Sequence, residues 1–283
     1  MPCSRHRGGV PWFPDFANAA ELARRSTRAT GRADPVARYL AALAEGDVHD
    51  LTTTWPGGVS VHDPRAGEIH TPHRLRRFIQ DNQHWLAERG AHIETVASTA
   101  AGGRAVVELS AHLTADDHQV AWPVAVVAES VDPMSVVFRT YCSQTPVDGH
   151  RHVRPPLLPP APLQLTGAVG RHLAALGSGD IDALVDTFAA HAYVQEAIGP
   201  PHRGPDEIRA LYTAQFGGSG GMGLHPSLVT DDGQRCAIEY SCDAWGDRPL
   251  PPQAGLIVYE RDSEDRLAAA RMYDDIEMPL LAS

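Results

Sequence analysis

No stretch of this sequence approaches the roughly 20 consecutive apolar residues of a membrane-spanning helix. The first thirty residues also lack the continuous apolar segment of a secretory signal. These two absences predict a cytoplasmic protein with no membrane partner. The four cysteines, Cys3, Cys142, Cys236 and Cys242, contain no CxxC pair. Cys236 and Cys242 fall on one predicted strand, too far apart to bridge, so reduced and mostly buried thiols are expected. The net charge of −11 has no compensating basic block, which argues against nucleic acid or an anionic surface as partner. Fifteen histidines invite a metal, His62, His70, His73, His92 and His112 above all, yet no HExxH or cysteine-histidine spacing occurs and no metal site is expected. The glycine-rich "GGSGGMG" at Gly217 to Gly223 lacks the Gly-Lys-Ser/Thr ending of a phosphate loop and the strand that precedes a dinucleotide fingerprint. It reads as a flexible connector, and no cofactor is expected.

What is present is ordinary globular material, with 43% hydrophobic and 21% charged residues over a length sufficient for two domains. Residues 1–33, with a helix-like stretch from Asp15 to Thr30, read as an N-terminal extension. A helix is predicted from Pro35, capped by Asp34, with Val36, Tyr39, Leu40 and Leu43 on one stripe and a stop at Gly46. A second carries Val48, Leu51 and Trp55, and a third opens at Thr71-Pro72 and stops at Gly90. Four strands follow, approximately 92–100, 104–114, 119–131 and 135–144, as an antiparallel meander. The six prolines of "PVDGHRHVRPPLLPPAP" then predict an extended domain linker over 146–163, unable to support a helix or central strand.

Beyond the linker the order repeats. "RYLAALAEGD" from Arg38 returns 133 residues later as "RHLAALGSGD", and Val48, Leu51, Trp55 and Asp63 return as Ile181, Leu184, Phe188 and Glu196. Arg139-Thr140-Tyr141 returns as Arg271-Met272-Tyr273. The expected architecture is α+β: a first domain over 34–145 and a second over 164–283, each with three helices against a curved, mainly antiparallel sheet.

At these residues the chain resembles the nuclear transport factor 2-like superfamily, which includes ketosteroid isomerases, SnoaL-like polyketide cyclases and epoxide hydrolases. The resemblance implies two cone-shaped domains packed through their sheets as an internal pseudo-dimer, either monomeric or paired again. "RYLAALAEGD" followed by "VHDPRAGE" looks like the tyrosine helix and aspartate-proline loop of ketosteroid isomerase. Carried over, Asp63 is the proton-shuttling base and Tyr39 the oxyanion donor, while Ala125 in "QVAWPVAVV" replaces a second acid. His172 and Glu196 take the tyrosine and aspartate positions of the second half, and histidine plus carboxylate remains acid/base competent.

Period-two alternation puts Glu108, Ser110 and His112 on one face of their strand. Aligned to the isomerase, that face points into the pocket, giving Glu108, Ser110, His112, Trp122 and Glu239 as substrate-binding candidates. The tandem plan also resembles the epoxide hydrolase/cyclases of polyether biosynthesis, for which Asp63 with Glu108 and Glu196 with Glu239 would supply carboxylate pairs. The implied activity is cofactor-independent acid/base chemistry on a hydrophobic polyketide, terpenoid or steroid-like intermediate: cyclisation, epoxide opening or double-bond isomerisation. The competing reading is a non-catalytic ligand-binding or scaffold protein of the same fold. Under it Tyr39 is core with its hydroxyl at the rim, Asp63 a turn residue, His172 a satisfied core histidine, and Glu108 and Glu239 lie on an outer sheet face.

Overall fold

The computed structural model describes residues 34–216 and 220–276. The N-terminal extension with its helix-like stretch, Cys3, and Gly217, Gly218 and Ser219 of the glycine-rich connector lie outside the described residues.

Helix α1, Pro35–Glu45, begins where the Asp34 carboxylate accepts from the backbone N–H groups of Val36 and Ala37 at 3.1 and 3.2 Å. Such a cap contributes about 1 kcal/mol. The helix ends at Gly46, whose φ of 71° is a conformation open to glycine. Its buried stripe is Val36, Tyr39, Leu40 and Ala42. Helix α2, His49–Thr54, and helix α3, Pro72–Glu88, complete the first helical layer, α3 burying Leu75, Phe78 and Ile79.

The segment "VSVHDPRAGEI" is not a loop. It forms strands β1, Gly58–Asp63, and β2, Gly67–Ile69, with Val59, Val61 and Asp63 turned inward in strict alternation. The meander is β3, His92–Ala101, β4, Arg104–Ala115, β5, His118–Asp132, and β6, Ser135–Tyr141. The sheet therefore has six strands in the order β2-β1-β6-β5-β4-β3, with β1 parallel to β6 and its other pairs antiparallel. The parallel pairing is what brings Asp63, at the end of β1, beside the end of β6.

The second half repeats this plan. The segment 146–163, expected to hold no helix, opens on a one-turn helix α4, Thr145–Asp148, because Pro146 falls in its first turn, which needs no donor. Then come α5, Gly167–Ser178, α6, Ile181–Asp186, β7, Phe188–Gln195, β8, His202–Arg203, and α7, Gly204–Phe216. Strands β9, Met222–Asp231, β10, Arg235–Trp245, β11, Arg248–Arg261, and β12, Leu267–Met272, complete a sheet of order β8-β7-β12-β11-β10-β9. Phe188, expected on a helix, opens strand β7.

Each domain has its own apolar core, and a third cluster lies between the sheets, where Val106, Ala125, Val127 and Tyr141 meet Ala237, Ala254, Leu256, Val258 and Tyr273. The two domains are thus a pseudo-dimer closed sheet against sheet. The extended linker is fastened to the second sheet by Ala254 N–H donating to Arg154 O at 2.8 Å and Ala161 N–H to Pro226 O at 2.9 Å. Among the described residues, no helix is long and apolar enough to cross a membrane. Cys142, Cys236 and Cys242 are buried free thiols.

Candidate functional site

Tyr39 and Asp63, 24 residues apart, line one cavity of about 70 Å³ in the first domain. Helix α1 supplies Tyr39, whose ring stacks on Phe138 with centroids 4.4 Å apart and whose hydroxyl is hydrogen-bonded to the Thr140 side chain. Burial, reinforced by the Asp63 charge, pushes the Tyr39 hydroxyl far above its ordinary pKa, so it stays a neutral donor. Asp63 is 8% exposed, and its Oδ1 accepts from the N–H groups of Arg65 and Ala66, each at 2.9 Å. This Asx turn is the local role expected of an aspartate before proline, and it fixes the carboxylate while leaving Oδ2 free of these bonds. Leu109, Ala111, Val124 and Val126 make the sheet wall. Trp122 closes it, its indole N–H donating to Ser143 O at 2.6 Å.

Outside this cavity lies a wider mouth of about 420 Å³, sharing Asp63, Arg65, Phe78, Asn82 and Trp85 with it and adding His73, Arg74, Arg77 and Asp81 from α3. The Trp85 ring is held between two guanidiniums, with Arg65 4.1 Å and Arg89 4.2 Å from its centroid.

The polar face of β4 points the other way from the expectation. Leu109 and Ala111 face the cavity, whereas Glu108, fully buried, faces the second domain, where the Arg271 guanidinium grips it at 2.5 and 3.0 Å and the Tyr273 hydroxyl donates at 2.8 Å. Glu239 is the counterpart: Arg139 binds it at 2.6 and 2.9 Å, and Tyr141 donates at 2.7 Å. Neither glutamate lines the cavity of its domain, and neither lies on an exposed face. Ser110 and His112 bond each other at 3.2 Å on the same outward face, with His112 exposed. Ala125 also faces the inter-sheet core, so the cavity-facing residues of β5 are Trp122, Val124 and Val126. The physical cause is the duplication itself: burying sheet against sheet makes the outer face an interior, which then needs charges paired with the opposite half.

The second domain has a cavity of about 220 Å³. Glu196 lines it, its carboxylate accepting from Gln215 at 2.8 Å and standing 3.4 Å from His202. His172 does not line it. The imidazole is completely buried, with Nδ1 at 2.9 Å from the Thr187 hydroxyl and Nε2 at 3.3 Å from that of Tyr212. Thr187 spends its proton on Leu184 O at 2.6 Å, so Nδ1 carries the hydrogen and Nε2 accepts from Tyr212. Burial pushes His172 down to about 3 and keeps it neutral: it is a satisfied core histidine.

Sequence reasoning missed Asp274, which lines the second cavity beside Tyr240 and accepts its hydroxyl proton. Burial, with the charges of Asp275 and Glu196 adding, pushes its carboxyl up to about 6 against the lowering effect of that hydrogen bond. Gly255 makes room for the arrangement, since a Cβ there would sit 2.5 Å from the Tyr240 ring. The equivalent of Asp274 in the first domain is Cys142, which lines the first cavity, so comparing the halves at matched positions was the signal available. Thr140 was missed as well. It was read only as part of the repeated Arg-x-Tyr.

Among the described residues, no group of three or more histidine, cysteine or acidic side chains is arranged to hold a metal ion.

A family model described as the SnoaL-like domain matches residues 36–135 and again 169–268. Among solved structures, the chain is similar to a proposed polyketide cyclase from Sinorhizobium meliloti, at 24% identity and a TM-score of 0.33, covering 38% of this chain and 94% of that one. It is also similar to an uncharacterised cystatin-fold protein from Novosphingobium aromaticivorans, at 15% identity and a TM-score of 0.32, covering 37% and 93%. A search of curated proteins finds no match. The family model accounts for more than half of the residues, once in each half, and the chain belongs to the SnoaL-like domain family, with two such domains in tandem.

Proposed function

We propose that the first domain is a cofactor-independent acid/base site acting on a hydrophobic intermediate of polyketide, terpenoid or steroid type. The observation that carries this reading is the convergence of Asp63 and the Tyr39 hydroxyl on one apolar cavity. Asp63 takes a proton from a carbon next to a carbonyl, Tyr39 donates a hydrogen bond to the oxygen where charge develops, and Asp63 returns the proton at a second carbon. Where the substrate carries a second carbonyl, the same enolate carbon instead attacks it and closes a ring: the carbon-carbon bond forms as that C=O π bond opens, and Asp63 returns its proton to the resulting alkoxide. At about 70 Å³ the inner cavity admits only the reacting end of such a molecule, and the remainder occupies the mouth. Thr140 orients Tyr39, and no carboxylic acid stands on the β5 wall, where Val124 and Val126 face the substrate.

For epoxide opening, which calls for two carboxyls, the suitable pair is in the second cavity. There Asp274 is placed to protonate the epoxide oxygen and Glu196 to deprotonate the attacking hydroxyl. The non-catalytic binding reading draws its support from the apolar β5 wall of the first cavity, where a second oxyanion donor is lacking.

The test is conversion of a Δ5-3-ketosteroid and of a smaller β,γ-unsaturated cyclic ketone in deuterated water, followed by absorbance and mass spectrometry. The acid/base reading expects conversion in the wild type, with deuterium entering the product only as far as the Asp63 carboxyl exchanges with solvent before it returns the proton, no turnover with Asp63→Asn, and kcat reduced about 10²–10³-fold with Tyr39→Phe, the usual cost of one oxyanion donor. Conversion that persists in Asp63→Asn overturns the assignment of the base. Binding of both ketones with neither conversion nor exchange in the wild type favours the binding reading.

A further inference from the structure

The chain is strongly acidic overall, at −11, and it contains no lysine, so each of its 24 basic side chains other than histidine is an arginine. Against that background the mouth of the first cavity is a local exception. Three guanidiniums, Arg65, Arg74 and Arg77, and the His73 imidazole line it, opposed by the carboxylates of Asp63 and Asp81. Arg65 is occupied, donating to Asn82 Oδ1 at 2.9 Å and lying over Trp85. Arg74 and Arg77 stand one turn apart on α3, both exposed, and among the described residues neither forms an ion pair. Asp63 and Asp81 stand at the same entrance but pair with neither Arg74 nor Arg77, so these two exposed guanidiniums keep their donors open, and their planar fork matches a carboxylate in bidentate fashion.

We infer that the first-domain site takes a substrate bearing a carboxylate, which Arg74 and Arg77 hold at the mouth while the apolar end enters between Tyr39 and Asp63. The inference deepens the acid/base reading and relies on it only for which end lies inward. The dimensions agree. The inner cavity of about 70 Å³ holds two or three groups of water size, each taking about 30 Å³, so a short alkyl or ring edge fills it. The charged end is then left in the mouth of about 420 Å³. Asp63 lies where the mouth meets the inner cavity, and its like charge favours the anion on the α3 side, beside Arg74 and Arg77.

The experiment is a calorimetric titration of the full chain with three probes of one chain length: hexanoate, hexan-1-ol and hexylamine. Hexanoate is expected to bind about tenfold more tightly than the alcohol, with the amine weakest. The doubly substituted chain, Arg74→Ala with Arg77→Ala, is expected to bind hexanoate no better than the alcohol, with the alcohol's affinity unchanged. Salt at about 0.5 M should narrow the gap in the wild type, because exposed charges are screened within a few ångströms at that strength. Equal affinity for acid and alcohol, a preference that survives the double substitution, or absence of binding by all three overturns the inference. Asp63→Asn separates this outcome from that of the acid/base reading. The substitution removes a like charge and should keep or strengthen hexanoate binding whether or not it abolishes turnover.

Discussion

The Glu108 carboxylate and the Arg271 guanidinium, 163 residues apart in sequence, meet in a bidentate pair at 2.5 and 3.0 Å between the two sheets. The pseudo-twofold mate, Arg139 with Glu239, repeats the geometry at 2.6 and 2.9 Å. Burial alone would make Arg271 easier to deprotonate, but Glu108 more than reverses this and holds it above its ordinary pKa. Removing one member of such a pair leaves a buried, uncompensated charge, at a cost of about 3–5 kcal/mol. Glu108→Gln should therefore lower stability by that amount in urea unfolding. Glu239→Gln should cost less, because Arg139 keeps Glu129 at 2.8 Å, whereas Arg271 has only Glu260 at 3.4 Å. Equal losses would show that Glu129 does not compensate Arg139, and losses under about 1 kcal/mol would show that the apolar inter-sheet cluster holds the domains together without the charges.

Thr140 lines the cavity, and in the proposed mechanism it acts through the Tyr39 hydroxyl, which it hydrogen-bonds. Thr140→Val keeps the shape and removes that bond, worth about 0.5–1.5 kcal/mol. The expected result is a fall in kcat of roughly twofold to tenfold, with little change in KM and restoration by Thr140→Ser. A rise in KM at constant kcat would assign Thr140 to ground-state packing instead.

The helices and the duplication were legible in the sequence because they rest on local signals: the Asp34-Pro35 and Thr71-Pro72 caps, the Gly46 stop, and the repeat of "RYLAALAEGD" as "RHLAALGSGD". Strands β1 and β2 were not, since a short alternating run around Asp63-Pro64 reads as a turn until its parallel partner β6, over 70 residues away, is known. Alternation placed Glu108, Ser110 and His112 on one face, but it is silent on which face is inward. The information lay in the repeat, where Glu108 and Glu239 recur in step with Arg139-x-Tyr141 and Arg271-x-Tyr273. Opposite charges repeated at nearly the same offset, 131 residues for the glutamates and 132 for the arginines, point in a tandem fold to symmetric pairs between the halves. Asp274 escaped notice because nothing local distinguishes it from Asp275, whose carboxylate instead accepts from Gln144 N–H at 3.1 Å and His152 N–H at 3.2 Å across the domain junction.

Asp274 gives the second domain a distinctive pH dependence. Its carboxyl titrates at about 6 in the folded chain against an ordinary 3.8, so the folded state holds this proton more tightly than the unfolded state. The resulting stability is fully present below about 3.8 and is lost as pH rises through about 6, a change of about 3 kcal/mol. Asp274→Asn keeps an acceptor for Tyr240 and removes the charge. It should be more stable than the wild type above pH 7 and similar to it near pH 4, as read from urea midpoints at both values.

His172 imposes the opposite slope in an overlapping window. Its imidazole titrates at about 3 when folded and near 6.5 when unfolded, so its contribution is present above about 6.5 and is lost as pH falls toward about 3. Integrated over that interval the loss approaches about 5 kcal/mol. Between about pH 4 and 6 the contributions of these two groups therefore nearly cancel, with His172 favouring the upper end and Asp274 the lower. His172→Gln preserves a donor and an acceptor for Thr187 and Tyr212 without a titrating ring. In that variant stability should fall with rising pH across the window, whereas in Asp274→Asn it should rise. If both variants gave flat profiles there, neither group would be as strongly shifted as its burial implies. If the two slopes came out with their signs exchanged, the buried imidazole would have to be charged and Asp274 ionised throughout.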